Sequence, residues 1–282
     1  MPVQEALAAQ QTVSTVQTKQ IWEVLPPTPA LPQPDLQSFV EVGGAKLWYA
    51  EYGTKNTGVP VLLLHGGFGN SAYFGHLIPD LVSQKYHVIV MDSRGQGRSG
   101  RSKEPNSYHR MAQDVVGLLD HLKVQKVDLV GWSDGGCIGY DLAINYSDRL
   151  NRLFVFGADS ATSGLKDGYG DTPTFAEYLV RTKEEYAKLS QTPNQYDDFS
   201  TDMMHMWNNE PNYTTEQLNS IRTPTTIADG QYDEGIKPEH NVYLRDSIPA
   251  ANLIILPNVS HFAMLQRPAE FNEAVLSFLK WR

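Results

Sequence analysis

The chain has 282 residues, of which 41% are hydrophobic and 20% charged, a composition typical of globular proteins rather than disordered ones. Acidic residues outnumber basic ones by 32 to 23, so the formal net charge at pH 7 is −9. Because this charge repels phosphate groups and anionic lipid, it argues against nucleic acid and membrane surfaces as partners. The single cysteine, Cys137, excludes an intrachain disulfide or a cysteine-based metal site, and the longest apolar runs are too short to span a membrane.

The N-terminal stretch, residues 1–37, differs from the rest of the chain because it is rich in Gln, Thr, Val and Pro. The dense prolines of residues 25–34 favour extended backbone and exclude helix, so we predict an arm that either lies on the body or hangs free. The stretch has no apolar segment long enough for a signal peptide. We therefore expect a soluble, cytoplasmic protein as the sequence is written, with export left open if the N-terminus is a processed or truncated form.

Strand-like and helix-like runs alternate from Ser38 to the C-terminus. Short apolar or alternating runs predict strands at residues 39–42, 46–52, 60–64, 87–91, 126–130, 153–156, 225–228 and 252–256. Apolar residues at helical spacing predict helices at residues 73–81, 111–122, 135–145, 175–189, 199–208, 240–247 and 271–279. This alternation indicates an α/β fold with a mainly parallel central sheet flanked by helices, and such sheets carry their sites at the carboxyl ends of the strands.

Residues 159–220 interrupt the alternation and are too long for an ordinary connection within a compact domain. Because the interruption follows a strand and contains helical patterns, we interpret it as a small helical cap over the site. The predicted α/β core then comprises residues 38–158 and 221–282.

A serine between small residues follows the strand predicted at residues 126–130. The sequence Gly131-Trp132-Ser133-Asp134-Gly135 fits the pattern G-x-S-x-G between a strand and a helix. Glycines on both sides let strand and helix approach closely, and the sharp turn lifts the serine hydroxyl above the sheet. We predict Ser133 to be a nucleophile.

A serine hydroxyl needs a base, and the expected chain order in this kind of site is Ser, then Asp or Glu, then His. His261 follows the last predicted strand, and Asp233 lies just beyond the strand before it. Both therefore fall at the edge of the sheet where Ser133 must be. For the acid, Asp229 and Asp159 remain alternatives, because each also follows a predicted strand.

Several motifs together resemble the α/β-hydrolase superfamily in their sequence order. They are residues 65–67 (His-Gly-Gly), 92–99, 131–136, 230–233 and 260–262. The resemblance extends from residue 38 to the C-terminus and is weakest in the predicted cap. Within the superfamily, the sequence around Ser133 is similar to the biphenyl-hydrolase-like (valacyclovir hydrolase) group, and beyond it to esterases and non-haem chloroperoxidases.

The resemblance implies an oxyanion hole formed by two backbone N–H groups. One belongs to Asp134 and the other to Gly67, with Phe68 as the alternative for the second. It also implies that His65 and the loop of residues 92–99 order the architecture rather than take part in chemistry. The implied reaction transfers an acyl group from a carboxylic ester, or a related acyl compound, to water through an acyl-enzyme, with no metal and no organic cofactor.

The side chain of Asp134 has two interpretations. A carboxylate in the first turn of a helix gains stability from the helix dipole, and the resemblance suggests instead that it holds a substrate ammonium group. If the apolar residues near the site face inward, they form a pocket for a small, largely apolar substrate. The candidate substrate-binding residues are Asp134, Phe68, Trp132, Tyr178, Met203, Met206, Trp207 and Phe262.

The motifs leave the reaction and the assembly partly open. The same three catalytic side chains support perhydrolase (haloperoxidase), lactonase, amidase or C–C hydrolase activity. A protein of another class, a small-molecule receptor with residual hydrolase activity, uses the same fold. We expect a small-molecule substrate, no nucleic acid partner, and a monomer or homodimer.

Overall fold

The central sheet is described by a computed structural model that covers residues 19–249 and 251–280. In these residues eight strands form one sheet: β1 Leu36–Val42, β2 Ala45–Tyr52, β3 Val61–Leu64, β4 Val88–Met91, β5 Val127–Trp132, β6 Leu150–Phe156, β7 Thr225–Gly230 and β8 Ala251–Leu256. Their order across the sheet is β1-β2-β4-β3-β5-β6-β7-β8. β1 and β2 pair antiparallel, as do β2 and β4, and the remaining neighbours are parallel. The predicted α/β fold class is therefore confirmed.

Helices cover both faces of the sheet. The α-helices of the described residues are α1 Leu77–Ser83, α2 Tyr108–Leu122, α3 Asp134–Asn145, α4 Pro173–Leu189, α5 Tyr196–Asn209, α6 Thr215–Ser220, α7 Pro238–Ser247, α8 Ala263–Gln266 and α9 Pro268–Lys280. Short 3-10 turns occur at Ile21–Glu23, Ser71–Phe74, Ser147–Arg149, Thr162–Gly164 and Tyr169–Asp171. None of the helices in the described part of the chain is both long and apolar enough to cross a bilayer.

The central strands are apolar on both faces because each face is covered by helices. In β3, Leu62 and Leu64 pack into the cluster that contains residues of α2 and α3, whereas Val61 and Leu63 pack into the cluster that contains residues of α1 and α9. All four side chains are fully buried. This explains why the strand reads as an uninterrupted apolar run rather than as an alternating one.

One predicted helix is divided in the structure. The prediction of a single helix at residues 73–81 is wrong, because a 3-10 turn at Ser71–Phe74 precedes α1. The Asn70 side chain accepts a hydrogen bond from the Ala72 N–H (3.0 Å) and fixes the start of this turn. A Cβ at Gly75 would lie 2.7 Å from the carbonyl oxygen of Ala30, so the turn also accommodates the N-terminal arm.

The described part of the arm lies on the body. Trp22 stacks on Tyr232 with ring centroids 4.0 Å apart, and the buried Leu25 joins the core. Arg181 of α4 donates a hydrogen bond to the carbonyl oxygen of Leu25 (2.8 Å), and Gln266 donates one to that of Val24 (3.0 Å). Residues 1–18 of the predicted arm lie outside the described residues.

The insertion between β6 and β7 carries α4, α5 and α6. Tyr178 of α4 donates a hydrogen bond to the carbonyl oxygen of Gly67 (2.7 Å), and Trp207 of α5 contacts the carboxylate of Asp134. These contacts lie at the carboxyl edge of the sheet, and we propose that residues 159–220 form the cap, as the sequence predicts.

A buried ion pair fixes the loop after β4 to α2. The guanidinium of Arg94 donates two hydrogen bonds to Asp114, at 2.6 and 2.5 Å, and both side chains are 1% exposed. In the same loop, the Ser93 N–H donates to Nε2 of His65 (2.9 Å). The loop therefore connects the ends of β3 and β4 to α2, which agrees with an architectural role for His65 and residues 92–99.

We predict that Asp114→Ala lowers the free energy of unfolding by about 3–5 kcal/mol, because it leaves the Arg94 guanidinium buried without a partner. Urea denaturation followed by circular dichroism measures this change. Glu270→Ala is the control, since it removes an exposed carboxylate paired with Arg267, and we expect a much smaller loss. Equal losses in the two variants would contradict the structural role of the buried pair.

Candidate active site

Ser133 lies in a strained turn between β5 and α3. Its backbone has φ 54° and ψ −120°, a conformation that residues other than glycine rarely adopt. A Cβ at Gly131 would lie 2.3 Å from the carbonyl oxygen of Gly135, and a Cβ at Gly135 would lie 2.1 Å from that of Leu64. The close approach of strand and helix therefore requires glycine at both positions, and it places Ser133 at the carboxyl end of the sheet.

Two backbone segments flank Ser133. Asp134 begins α3, so its N–H belongs to the first turn and has no intrahelical acceptor. On the other side, a Cβ at Gly66 would lie 3.0 Å from the Cβ of Ser133, and one at Gly67 would lie 2.5 Å from Oδ2 of Asp134. The next residue, Phe68, turns the chain with φ 64°. The two segments predicted to hold the oxyanion donors thus meet beside Ser133.

His261 and Asp233 form a buried pair. Nδ1 of His261 lies 2.7 Å from Oδ2 of Asp233, and Oδ1 of Asp233 accepts hydrogen bonds from the N–H groups of Gly235 (2.6 Å) and Ile236 (2.8 Å). An ionised carboxylate only accepts hydrogen bonds, so Nδ1 donates to Asp233. In the neutral ring Nε2 is then free of a proton and available as a base.

The pair is also coupled electrostatically. Burial alone would raise the pKa of Asp233, but the positive charge of protonated His261 and its hydrogen bond lower that pKa to about 2. Burial opposes the charged form of His261, but the carboxylate of Asp233 outweighs this effect and raises the pKa of His261 above its ordinary value. The two groups therefore stabilise each other when charged.

The two alternative acids have other neighbours. Asp229 accepts hydrogen bonds from the Asn241 side chain (2.5 Å) and the Gly230 N–H (2.8 Å), and burial together with the charge of Asp233 raises its pKa well above the ordinary value. Oδ1 of Asp159 lies 3.6 Å from Sγ of Cys137. Of the three predicted candidates, the structure pairs Asp233 with His261.

Ser133 and His261 line one small cavity of about 30 Å³. Among the described residues, the side-chain hydrogen bond of His261 is the one to Asp233, and no hydrogen bond joins the hydroxyl of Ser133 to His261. Aromatic side chains and carboxyl groups make up most of the remaining wall, whose residues are Tyr108, Asp134, Gly157, Asp159, Leu165, Tyr169, Phe175, Trp207, Glu210, Gly235 and Ile236.

The side chain of Asp134 is held by two aromatic residues. Its Oδ1 accepts hydrogen bonds from the Tyr108 hydroxyl (2.9 Å) and from Nε1 of Trp207 (3.0 Å), and Oδ2 lies 3.1 Å from the same Trp207 nitrogen. Burial raises its pKa to about 6, although both hydrogen bonds act in the opposite direction. The carboxylate therefore ties α2 and α5 to the nucleophile turn.

Asp159 is the carboxyl group on this wall with a buried oxygen that has no partner among the described residues. It is 6% exposed, and its Oδ2 has no hydrogen-bond partner among the described residues. Burial raises its pKa to about 7. A buried carboxylate with one unpaired oxygen is costly, so a hydrogen-bond donor or a cation in the cavity would stabilise its charged form.

Of the predicted substrate-binding residues, the structure places Asp134 and Trp207 on the cavity wall. The other six lie in the packing around it, because each is enclosed by neighbouring side chains: Phe68, Trp132, Tyr178, Met203, Met206 and Phe262 are all at most 4% exposed. Trp132, for example, donates a hydrogen bond from Nε1 to the carbonyl oxygen of His261 (3.0 Å) and so supports the loop that carries it.

Several residues that line the cavity could not be identified from the sequence. Tyr108 begins α2, and Glu210 follows α5, and no local motif marks either one. The sequence marks Asp159 only as an alternative acid partner for His261. Gly157, two residues before Asp159, directly follows β6. Because sites in this kind of sheet form at the carboxyl ends of the strands, its position is the signal that could have identified this segment.

Comparison with known proteins gives matches over most of the chain. The model of the family described as alpha/beta hydrolase fold matches residues 59–216. The chain is 27% identical over 252 residues to the human serine hydrolase BPHL, covering 86% of this chain and 85% of that protein. It is 26% identical over 273 residues to a 2-hydroxy-6-oxo-6-(2'-aminophenyl)hexa-2,4-dienoic acid hydrolase of Metapseudomonas resinovorans, covering 88% of this chain and 92% of that protein.

Solved structures also match this chain over most of its length. Est816, described as an N-acyl homoserine lactone degrading enzyme, superposes with a TM-score of 0.65 at 28% identity and covers 86% of this chain and 100% of its own. A meta-cleavage product hydrolase from Pseudomonas fluorescens IP01 gives a TM-score of 0.71 at 22% identity, covering 86% of this chain and 97% of its own. The second likeness shows the fold alone.

We predict that Asp233→Asn lowers the pKa of His261, because burial then acts against the imidazolium without the opposing carboxylate. A titration of the imidazole followed by NMR measures the change. Asp229→Asn is the matched control, because it makes the same change at a buried acid whose hydrogen bonds in the described residues go to Gly230 and Asn241 rather than to His261, so we expect a smaller shift. A His261 pKa that stays constant in Asp233→Asn would contradict the coupling.

Proposed function

Because the chain belongs to the α/β-hydrolase fold family and is a hydrolase, we propose that it cleaves a carboxylic ester, or a related acyl bond, of a small molecule through an acyl-enzyme on Ser133. The observation that carries this proposal is the His261–Asp233 hydrogen bond of 2.7 Å beside a cavity that Ser133 also lines. This arrangement offers a nucleophile, a base and a carboxylate that orients the base.

In the first half of the reaction, Oγ of Ser133 attacks the carbonyl carbon of the substrate while Nε2 of His261 accepts the hydroxyl proton. The carboxylate of Asp233 stabilises the imidazolium that forms. The carbonyl oxygen becomes an oxyanion and accepts hydrogen bonds from the N–H groups of Asp134 and Gly67, with Phe68 as the alternative to Gly67. Loss of one such donor typically costs about 3 kcal/mol of transition-state stabilisation.

The remaining steps release the alcohol and then the carboxylic acid. The imidazolium of His261 gives its proton to the leaving alcohol as the bond between the carbonyl carbon and that alcohol breaks. His261 then accepts a proton from a water molecule, which attacks the acyl-enzyme. The second tetrahedral intermediate collapses to a carboxylic acid, and the proton returns to Oγ of Ser133.

The charges on the cavity wall restrict the substrate. Asp134, Asp159 and Glu210 contribute carboxyl groups, and no Lys or Arg lies among the described residues of the wall. Such a wall repels anions, so we propose a neutral or cationic substrate. Asp134 already accepts hydrogen bonds from Tyr108 and Trp207, which supports an architectural role for its side chain and leaves Asp159 as the stronger candidate for contact with a cation.

A lactone is the second candidate substrate. The similarity to Est816, an N-acyl homoserine lactone degrading enzyme at 28% identity, favours it. A lactone is a cyclic ester, so the same attack by Ser133 opens the ring, and the alcohol remains attached to the acyl product. Hydrolysis of short-chain lactones at rates above those of the matching open-chain esters would favour this candidate.

We predict that a fluorophosphonate probe labels Ser133 and that Ser133→Ala abolishes the labelling, as detected by mass spectrometry of peptides. The same variant should lower kcat for p-nitrophenyl esters on the order of 10⁴-fold or more, because the nucleophile is lost. Ser93→Ala is the control, since it removes a buried hydroxyl that has no hydrogen-bond partner among the described residues. Labelling that persists in Ser133→Ala would refute the proposed function.

We predict that Asp159→Asn reduces the preference for cationic substrates. The measured quantity is the ratio of kcat/KM for an ester with an ammonium group to that for its uncharged analogue of equal shape. We expect the ratio to fall about tenfold, as for loss of a charge-assisted hydrogen bond. The control Asp171→Asn makes the same charge change at an exposed site, where solvent screens it. An equal, small change in both variants would exclude Asp159 as the cation contact.

A further inference from the structure

The cavity beside Ser133 is too small for a substrate of ordinary size. Its volume is about 30 Å³, whereas pockets that enclose small-molecule ligands measure roughly 300–1,000 Å³. A second, larger space lies next to it: a groove of about 710 Å³ formed by the N-terminal arm, the start of the cap and the loop after β7. Of these two neighbouring spaces, the groove is the one with the volume that a ligand of ordinary size needs.

Tyr169 connects the two spaces because it lines both of them. Its ring contacts that of Phe175 edge to face, with centroids 5.1 Å apart, and the Phe175 ring lies 5.8 Å from that of His261. The wall between groove and cavity is therefore a short row of aromatic side chains. A substrate that passes this row would place its reacting carbonyl by Ser133 and its remainder in the groove.

The arm supplies one aromatic wall of the groove. Trp22 stacks on Tyr232 with ring planes 12° apart, and both residues line the groove together with Pro173. The backbone beyond Trp22 is held by Gln266 and Arg181. The wall is thus fixed in place, and its flat aromatic surfaces suit another ring, since aromatic pairs attract beyond the burial of apolar surface.

The position of the groove indicates which part of the substrate it takes. Asp233 and Glu234 line it, and Oε2 of Glu234 accepts a hydrogen bond from the backbone N–H of His261 (2.9 Å). The groove therefore lies on the His261 side of the site. The leaving alcohol must also be on that side, because His261 gives it a proton.

We propose that this groove, built in part by the N-terminal arm, is the subsite for an aromatic leaving group of the ester substrate, with Trp22 as its stacking surface. The inference rests on the proposed ester hydrolysis. It assigns to the arm, which lies before the region matched by the family model, a part in choosing the substrate.

The test compares two acetate esters that share an acyl group: 2-naphthylmethyl acetate, with an aromatic leaving alcohol, and ethyl acetate. The measured quantity is the ratio of their kcat/KM values. We expect Trp22→Ala to lower this ratio roughly fivefold to tenfold, by loss of one aromatic stacking contact, and Trp22→Phe to restore most of it. Val24→Ala is the matched control, because Val24 is an exposed arm residue outside the groove wall, and it should keep the ratio of the unmodified chain.

An unchanged ratio in Trp22→Ala would overturn the proposal, as would equal falls in Trp22→Ala and Val24→Ala, which would indicate a general effect of the arm. Hydrolysis of ethyl acetate and labelling of Ser133 by the fluorophosphonate probe are measured separately, because they test the proposed function itself. If both persist while the ratio stays constant, the subsite is wrong and the proposed function stands. If both are absent from the unmodified chain, the proposed function is wrong as well.

Discussion

The site depends on the close approach of β5 and α3 around Ser133. Glycines at 131 and 135 bring the helix start against the strand, and a methyl group at either position would collide with backbone atoms. This contact holds Ser133 in a backbone conformation that costs free energy, and the packed sheet stabilises it. Ser133 and the start of α3 lie at the carboxyl edge of the sheet, where residues of the loops after β6, β7 and β8 line the same cavity.

The other main feature of the site is the pairing of its ionisable groups. Among the described residues that line the cavity, His261 is the one base and is paired with Asp233, whereas the other ionisable groups are carboxyl and phenol groups. Asp134 accepts hydrogen bonds from two aromatic residues, whereas one oxygen of Asp159 has no partner in the part of the chain that the structure describes. The same burial that strengthens the His261–Asp233 pair therefore makes Asp159 responsive to whatever enters the cavity.

The features that depend on local sequence pattern could be predicted from the sequence. Buried parallel strands give apolar runs, and the turn after β5 needs glycines at fixed spacing, so the fold class and the position of Ser133 followed from the residues. The direction of the side chains in the cap could not be predicted, because Met203 and Met206 have the same apolar character whether they face a cavity or the core. In the structure they lie in the core. Nor could periodicity reveal that Trp22 stacks on Tyr232, since that contact joins an irregular arm to a distant loop.

The central claim is that Ser133, His261 and the two backbone segments beside them act on one carbonyl group. A crystal structure of the protein after reaction with a phosphonate ester tests it most directly. We expect phosphorus bonded to Oγ of Ser133, a phosphonyl oxygen within hydrogen-bond distance of the Asp134 N–H and of the Gly67 or Phe68 N–H, and Nε2 of His261 facing the site of the departed alcohol. Phosphorus on another residue, or an imidazole turned away from the adduct, would contradict the account.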